Sequence, residues 1–129
     1  MKNLETDKKY LSIGAFLLFF AVLLGAFGAH SLKESLSEKL LTTYQTGITY
    51  HFYHGLGIML LGIIKKLYPE KNLSLVFKLL LAGIFLFSFN CYFYAITKIK
   101  FFALIVPVGG LSFIAAWALL GKIILRKNQ

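Results

Sequence analysis

The chain alternates long apolar runs with short charged ones. Four runs carry no charge: Leu11 to Ala29, about Tyr44 to Ile64 (interrupted by His51 and His54), Leu79 to Thr97, and Phe101 to Gly121. A hydrocarbon core about 30 Å thick is crossed by about 20 apolar residues of α-helix. Within lipid the backbone must satisfy its own polar groups, and runs without strict alternation do so as helices rather than barrel strands. The pattern predicts an all-α fold, an integral membrane four-helix bundle in which residues 1–129 form a single domain.

The connections differ in character. Between the first two spans, Ser31 followed by Glu34 has the form of a capping box, and Leu32, Leu36 and Leu40 recur every four residues. This predicts a short amphipathic helix at the membrane interface, with a simple extension of the second span as the alternative. Pro69, in Tyr68-Pro69-Glu70, removes a backbone donor and ends the second helix. The connection Lys98-Ile99-Lys100 is so short that spans three and four must be antiparallel neighbours. Tyr10, Tyr44, Tyr68 and Tyr94 fall near the ends of spans, where interfacial tyrosines are expected.

Composition sharpens this picture. Hydrophobic residues make up 58% of the chain and charged residues 15%, with a mean hydropathy of +0.74. An ordinary soluble domain carries roughly 25% charged residues. The net charge of +9 would suggest nucleic acid, but the basic residues are sorted by side. Lys2, Lys8, Lys9, Lys65, Lys66, Lys71, Lys78, Lys122, Arg126 and Lys127 share one side, ten in all, against four (Lys33, Lys39, Lys98, Lys100) on the other. That bias predicts both termini in the cytoplasm and a lipid bilayer, not nucleic acid, as the partner. Lys8-Lys9, the first apolar run and Ala26-Phe27-Gly28 also fit a cleavable signal peptide, but the small residues fit helix packing better, so an uncleaved span is expected. The one cysteine, Cys91, lies inside the third span and permits no internal disulfide.

Helices in lipid associate where small residues let backbones approach. Gly25 and Gly28 on the first span, Gly47 and Gly55 on the second, and Gly109 and Gly110 on the fourth are the expected packing positions. Pro107 lacks the donor for the carbonyl four residues earlier and predicts a kink, which either improves packing or frees carbonyls to line a cavity.

Polar residues at membrane depth are costly and are candidate functional residues. His51, His54, Ser88 and Asn90 meet this description, with Tyr50 on the histidine face of the second span. The simplest expectation is that His54 and Asn90 hydrogen-bond between helices and fix which spans pair. A proton relay or pH switch is a second reading of the histidines. A metal site needs more ligands than two imidazoles, no carboxylate lies within an apolar run, and haem ligation would need His30 as the opposed partner. No metal or cofactor is therefore expected. Catalysis lacks a nucleophile with a base, a phosphate-binding glycine loop and paired carboxylates, so the chain reads as no enzyme.

The first span closes on Gly25-Ala26-Phe27-Gly28-Ala29-His30, the second opens on Tyr50, His51 and His54, and the fourth carries Pro107-Val108-Gly109-Gly110 with Phe113 and Trp117. With these motifs the chain resembles a small bacterial membrane-protein family catalogued as domain of unknown function number 423, related to the animal transmembrane protein 256. The hexapeptide ending at His30 is the most specific element. Asn90-Cys91-Tyr92 makes the third span more polar than that pattern. The resemblance implies an uncleaved four-span protein of the bacterial plasma membrane with no established activity. The expected function is a non-enzymatic homo-oligomer whose intramembrane cluster packs helices or holds a small ligand. The alternatives are a transport or channel-like component, and a metal- or haem-binding electron-transfer subunit.

Overall fold

The computed structural model describes residues 2–127, with side chains from Glu5 onward; the side chain of Lys2, counted above among the basic residues, lies outside them. Helix α1 (Lys2–Phe27) runs into a π turn (Gly28–Leu32), and α2 (Glu38–Leu67) returns. The third crossing is composite: α3 (Ser74–Gly83), a π segment (Ile84–Phe89) and α4 (Asn90–Thr97). Helix α5 (Lys100–Leu125) completes the bundle. Four helical stretches are long and apolar enough to cross a membrane: Glu5–Leu32, Glu38–Leu67, Ser74–Thr97 and Lys100–Leu125. Each overruns its apolar run, because helices continue into the headgroup layer where charged residues are solvated.

The amphipathic helix expected between the first two spans is not a separate element. The first span instead extends through its π turn, residues 33–36 turn, and α2 begins at Glu38. The cap is Ser37, not Ser31: its Oγ accepts from the Leu40 amide at 3.3 Å. The leucine spacing still carried information, since Leu32, Leu36 and Leu40 all pack on one cluster with Tyr44, Tyr92 and Ala95. Tyr10 and Tyr44 likewise turn inward rather than along the interface. Tyr10 stacks on Phe77 at 4.4 Å, and Tyr44 is 1% exposed.

The spans are not equivalent. Helix α2 and the composite third span form the middle of the bundle, while α1 packs on α2 and α5 packs on the third span. In the most apolar stretch of each, 44% of residues are buried in the two middle spans and 22% in the outer two. The turn between α4 and α5 is closed by Lys98 in the left-handed region (φ 61°), whose amide donates to the Tyr94 carbonyl at 2.8 Å. An αL residue after a helix reverses the chain sharply, which makes α4 and α5 adjacent.

Two glycines allow close approach to the third span. A Cβ on Gly109 of α5 would overlap the backbone of Leu86 and Phe87 in the π segment. A Cβ on Gly47 of α2 would lie 2.9 Å from Cys91 Cβ and 3.0 Å from the Ser88 carbonyl. The α2 glycines serve more than one face, since Gly55 and Gly62 abut Leu18 and Leu11 of α1. Gly14 and Gly57, which sequence spacing did not single out, are also close-packed: a Cβ on Gly14 would overlap Met59, and one on Gly57 would lie 3.0 Å from Trp117. Gly25 and Gly110 make only ordinary contacts, 3.5 Å to Ile48 and 3.9 Å to Phe87.

Candidate functional site

The residues of α2 at the centre of the bundle include both intramembrane histidines, and these turn toward different helices. His54 Nδ1 is 2.7 Å from the Tyr50 carbonyl, and Trp117 Nε1 is 3.1 Å from His54 Nε2. A carbonyl only accepts and an indole N–H only donates, so the proton is on Nδ1 and the lone pair on Nε2 is occupied. The ring is thereby fixed as the neutral Nδ1–H tautomer. Phe113 stacks on it with centroids 3.5 Å apart, and a Cβ on Gly83 would overlap the Phe113 ring. Helices α2 and α5 flank the third span and meet through these side chains.

His51, one turn earlier, is fully buried against α4. Its Nδ1 is 2.9 Å from Tyr92 Oη, and the Phe89 ring meets it edge-on at 5.6 Å. Its Nε2 makes no hydrogen bond among the described residues; the Leu17 carbonyl of α1 lies near the ring but outside hydrogen-bonding geometry. Ser88 Oγ, in the π segment, is also buried without a hydrogen bond among the described residues. Tyr92 packs on Tyr44 at 5.0 Å, and the Tyr44 hydroxyl donates to the Leu24 carbonyl at 2.5 Å. Gly28 leaves room for the Tyr44 ring, so the glycine motif of the first span serves this aromatic layer.

Asn90 does not bond between helices. Its Nδ2 donates within its own span, to the Phe85 carbonyl at 3.1 Å and the Leu86 carbonyl at 2.9 Å. A π segment leaves carbonyls without their usual i+4 donors, and an amide just beyond it can satisfy them. The inter-helix polar tie in this region comes instead from Ser112 of α5, whose Oγ donates to the Leu79 carbonyl at 2.6 Å. Tyr50 is 39% exposed; its carbonyl holds His54 while its ring lies on Phe87 at 4.6 Å. Pro107 is exposed, and α5 runs unbroken through it. His30 is exposed at the π turn. Among the described residues no group of three or more His, Cys, Asp or Glu side chains could hold a metal ion.

Trp117, visible in the sequence only as part of the fourth-span motif, joins the candidate site as the donor to His54. The available signal was chemical: an indole N–H within a span requires an acceptor, and few side chains in this sequence offer one. Tyr92 was likewise visible only as a neighbour of Asn90.

Comparison with known proteins agrees with this architecture. The family described as "Protein of unknown function (DUF423)" matches residues 24–110. The UPF0382 membrane protein SSP2132 of Staphylococcus saprophyticus is 41% identical over 88% of this chain and 93% of its own length. The UPF0382 membrane protein YwdK of Bacillus subtilis is 37% identical with the same coverage of both chains. The UPF0382 membrane protein SH2409 of Staphylococcus haemolyticus is 37% identical over 88% of this chain and 92% of its own. No solved structure matches.

Proposed function

This chain belongs to the DUF423 family, whose matched relatives are named membrane proteins, and from that premise we propose that it is a non-enzymatic bundle whose intramembrane histidines lock helices together. One observation carries the proposal: both nitrogens of His54 are occupied by partners of fixed polarity, on α2 itself and on α5. A ring in that state has no lone pair to offer a metal or haem iron. It also cannot pass a proton onward without giving up the Trp117 bond. The outer faces of α1 and α5 remain for lipid or a second copy to cover, and the chain works as a homo-oligomer in the cytoplasmic-termini orientation.

The test is reconstitution of the wild-type chain and His54→Ala in liposomes, with thermal unfolding and proton and ion flux measured on each. Flux at the protein-free level for both, with a lower melting temperature for the variant, is the expected result. Flux above that level in the wild type and its loss in the variant would overturn the reading in favour of transport.

The unpartnered His51 Nε2 and Ser88 Oγ favour a narrower second reading, a small polar guest in the His51 layer, water being the simplest. Solvent-exchange NMR on the imidazole of the reconstituted protein checks it, because a dry layer shows no water cross-peak.

A further inference from the structure

The loop after α2, the start of α3 and the end of α5 enclose an open cavity of about 1020 Å³ on the face that carries both termini. Four cations line it, Lys71, Lys78, Arg126 and Lys127, against a single carboxylate, Glu70. The rest of the lining is polar at Asn72 and Ser74, where the loop meets α3, and apolar at Leu75 of α3 and Leu119 and Ile123 of α5. On α5 the two kinds of lining are ordered by depth, while on α3 Lys78 lies one turn further into the span than Leu75. Arg126 and Lys127 follow the last turn of α5, whereas Ile123 and Leu119 lie one and two turns further into the span. The α5 side of the cavity, charged at its rim and apolar beneath, has the polarity profile of a phospholipid, and the long Lys78 side chain can carry its ammonium up to that rim.

The rim is also held in shape. Lys65, buried in α2, donates from Nζ to the Pro69 and Lys71 carbonyls, both at 2.7 Å, which fixes the loop from beneath. Lys71 Nζ reaches across to the Arg126 carbonyl at 2.5 Å and joins the loop to the end of α5. The loop carrying Lys71 is thus held against the end of α5, where Arg126 and Lys127 follow. Like charges so gathered repel one another, and an anion between them relieves that repulsion.

We propose that this cavity binds one anionic phospholipid of the leaflet facing the termini, its phosphate among Lys71, Lys78, Arg126 and Lys127 and an acyl chain along Leu75, Leu119 and Ile123. The proposal requires only the membrane architecture and is independent of the role given to His54. General attraction of basic residues to an acidic membrane surface would engage Lys8, Lys9 and Lys66 equally well, so the distinguishing property is location.

The test uses the full chain reconstituted in equimolar phosphatidylcholine and phosphatidylglycerol, with retained lipid counted by native mass spectrometry. The wild type should retain phosphatidylglycerol selectively. The triple variant Lys78→Gln, Arg126→Gln and Lys127→Gln should lose that selectivity by about ten-fold, while Lys8→Gln, Lys9→Gln and Lys66→Gln together should change it by less than about two-fold. Ile123→Trp, which fills the apolar wall without altering charge, should also reduce retention. Equal losses in the two charge variants, no loss in the first, or full retention by Ile123→Trp would each overturn the proposal. So would inorganic phosphate raising the melting temperature of the detergent-solubilised chain as far as phosphatidylglycerol does, since the ligand would then be a free anion.

Discussion

Around His54 the polar atoms are matched: the Tyr50 carbonyl takes the ring proton, the Trp117 indole fills the lone pair, and Phe113 covers a face. Around His51, three residues earlier on the same helix, only one ring nitrogen is engaged, and Ser88 Oγ is buried without a partner. The difference follows from what each neighbouring helix can offer. Helix α5 stands behind the third span and reaches α2 only by long side chains, so contact there must be specific to exist at all. The third span presses directly on α2 at Gly47, and close packing holds His51 whether or not its polar atoms are paired. Specific hydrogen bonding thus holds one pairing, and steric fit the other.

That contrast can be broken at four points. Gly47→Leu should have the largest effect, since a side chain there must displace Tyr92, Cys91 and the Ser88 carbonyl; a loss of about 3 kcal/mol in reversible unfolding is expected. His54→Ala comes next, at about 2 kcal/mol, from the lost ring and an indole N–H left unpaired in the membrane. Trp117→Phe keeps an aromatic ring but removes the donor and the indole atoms that pack on Gly57, so about 1.5 kcal/mol is expected by the same measurement. Ser88→Ala should be the smallest and opposite in sign, neutral or stabilising by up to about 0.5 kcal/mol, because it removes an unpaired hydroxyl and little else. If Ser88→Ala cost as much as His54→Ala, the view of the His51 layer as sterically held would fail. Nitrogen-15 NMR sharpens the contrast without mutation: His54 should show a protonated Nδ1 and an unprotonated Nε2 that accepts a hydrogen bond.

The four crossings were legible because an apolar run of bilayer length has few other uses. The sidedness of basic residues was legible too, as a pattern, although the orientation it predicts belongs to the membrane and not to the folded chain. The site was legible only in part. A histidine at membrane depth advertises the need for a partner, but period and spacing cannot say which helix supplies it. Asn90 illustrates the failure. Its amide was expected to cross to another helix, yet the chain departs from α-helical bonding just before it, and the local carbonyls claim both protons. That departure coincides with the approach of Gly109 to Leu86 and Phe87, a tertiary contact invisible in the third span's own sequence. The turn after the first span failed for a similar reason. Ser31 and Glu34 match a helix start, but the π turn carries the first span past them and leaves Ser37 to cap α2.

The indole donated to His54 is the only tryptophan in the chain. Its emission can therefore be assigned to one contact without labelling. Any event that separates α2 from α5, whether heat, a ligand or assembly, alters the environment of that single fluorophore. A protonated imidazole, unlike the neutral ring, is an efficient quencher of a neighbouring indole, so the same signal is sensitive to the charge of His54. The protein carries its own optical gauge of whether the lock is closed.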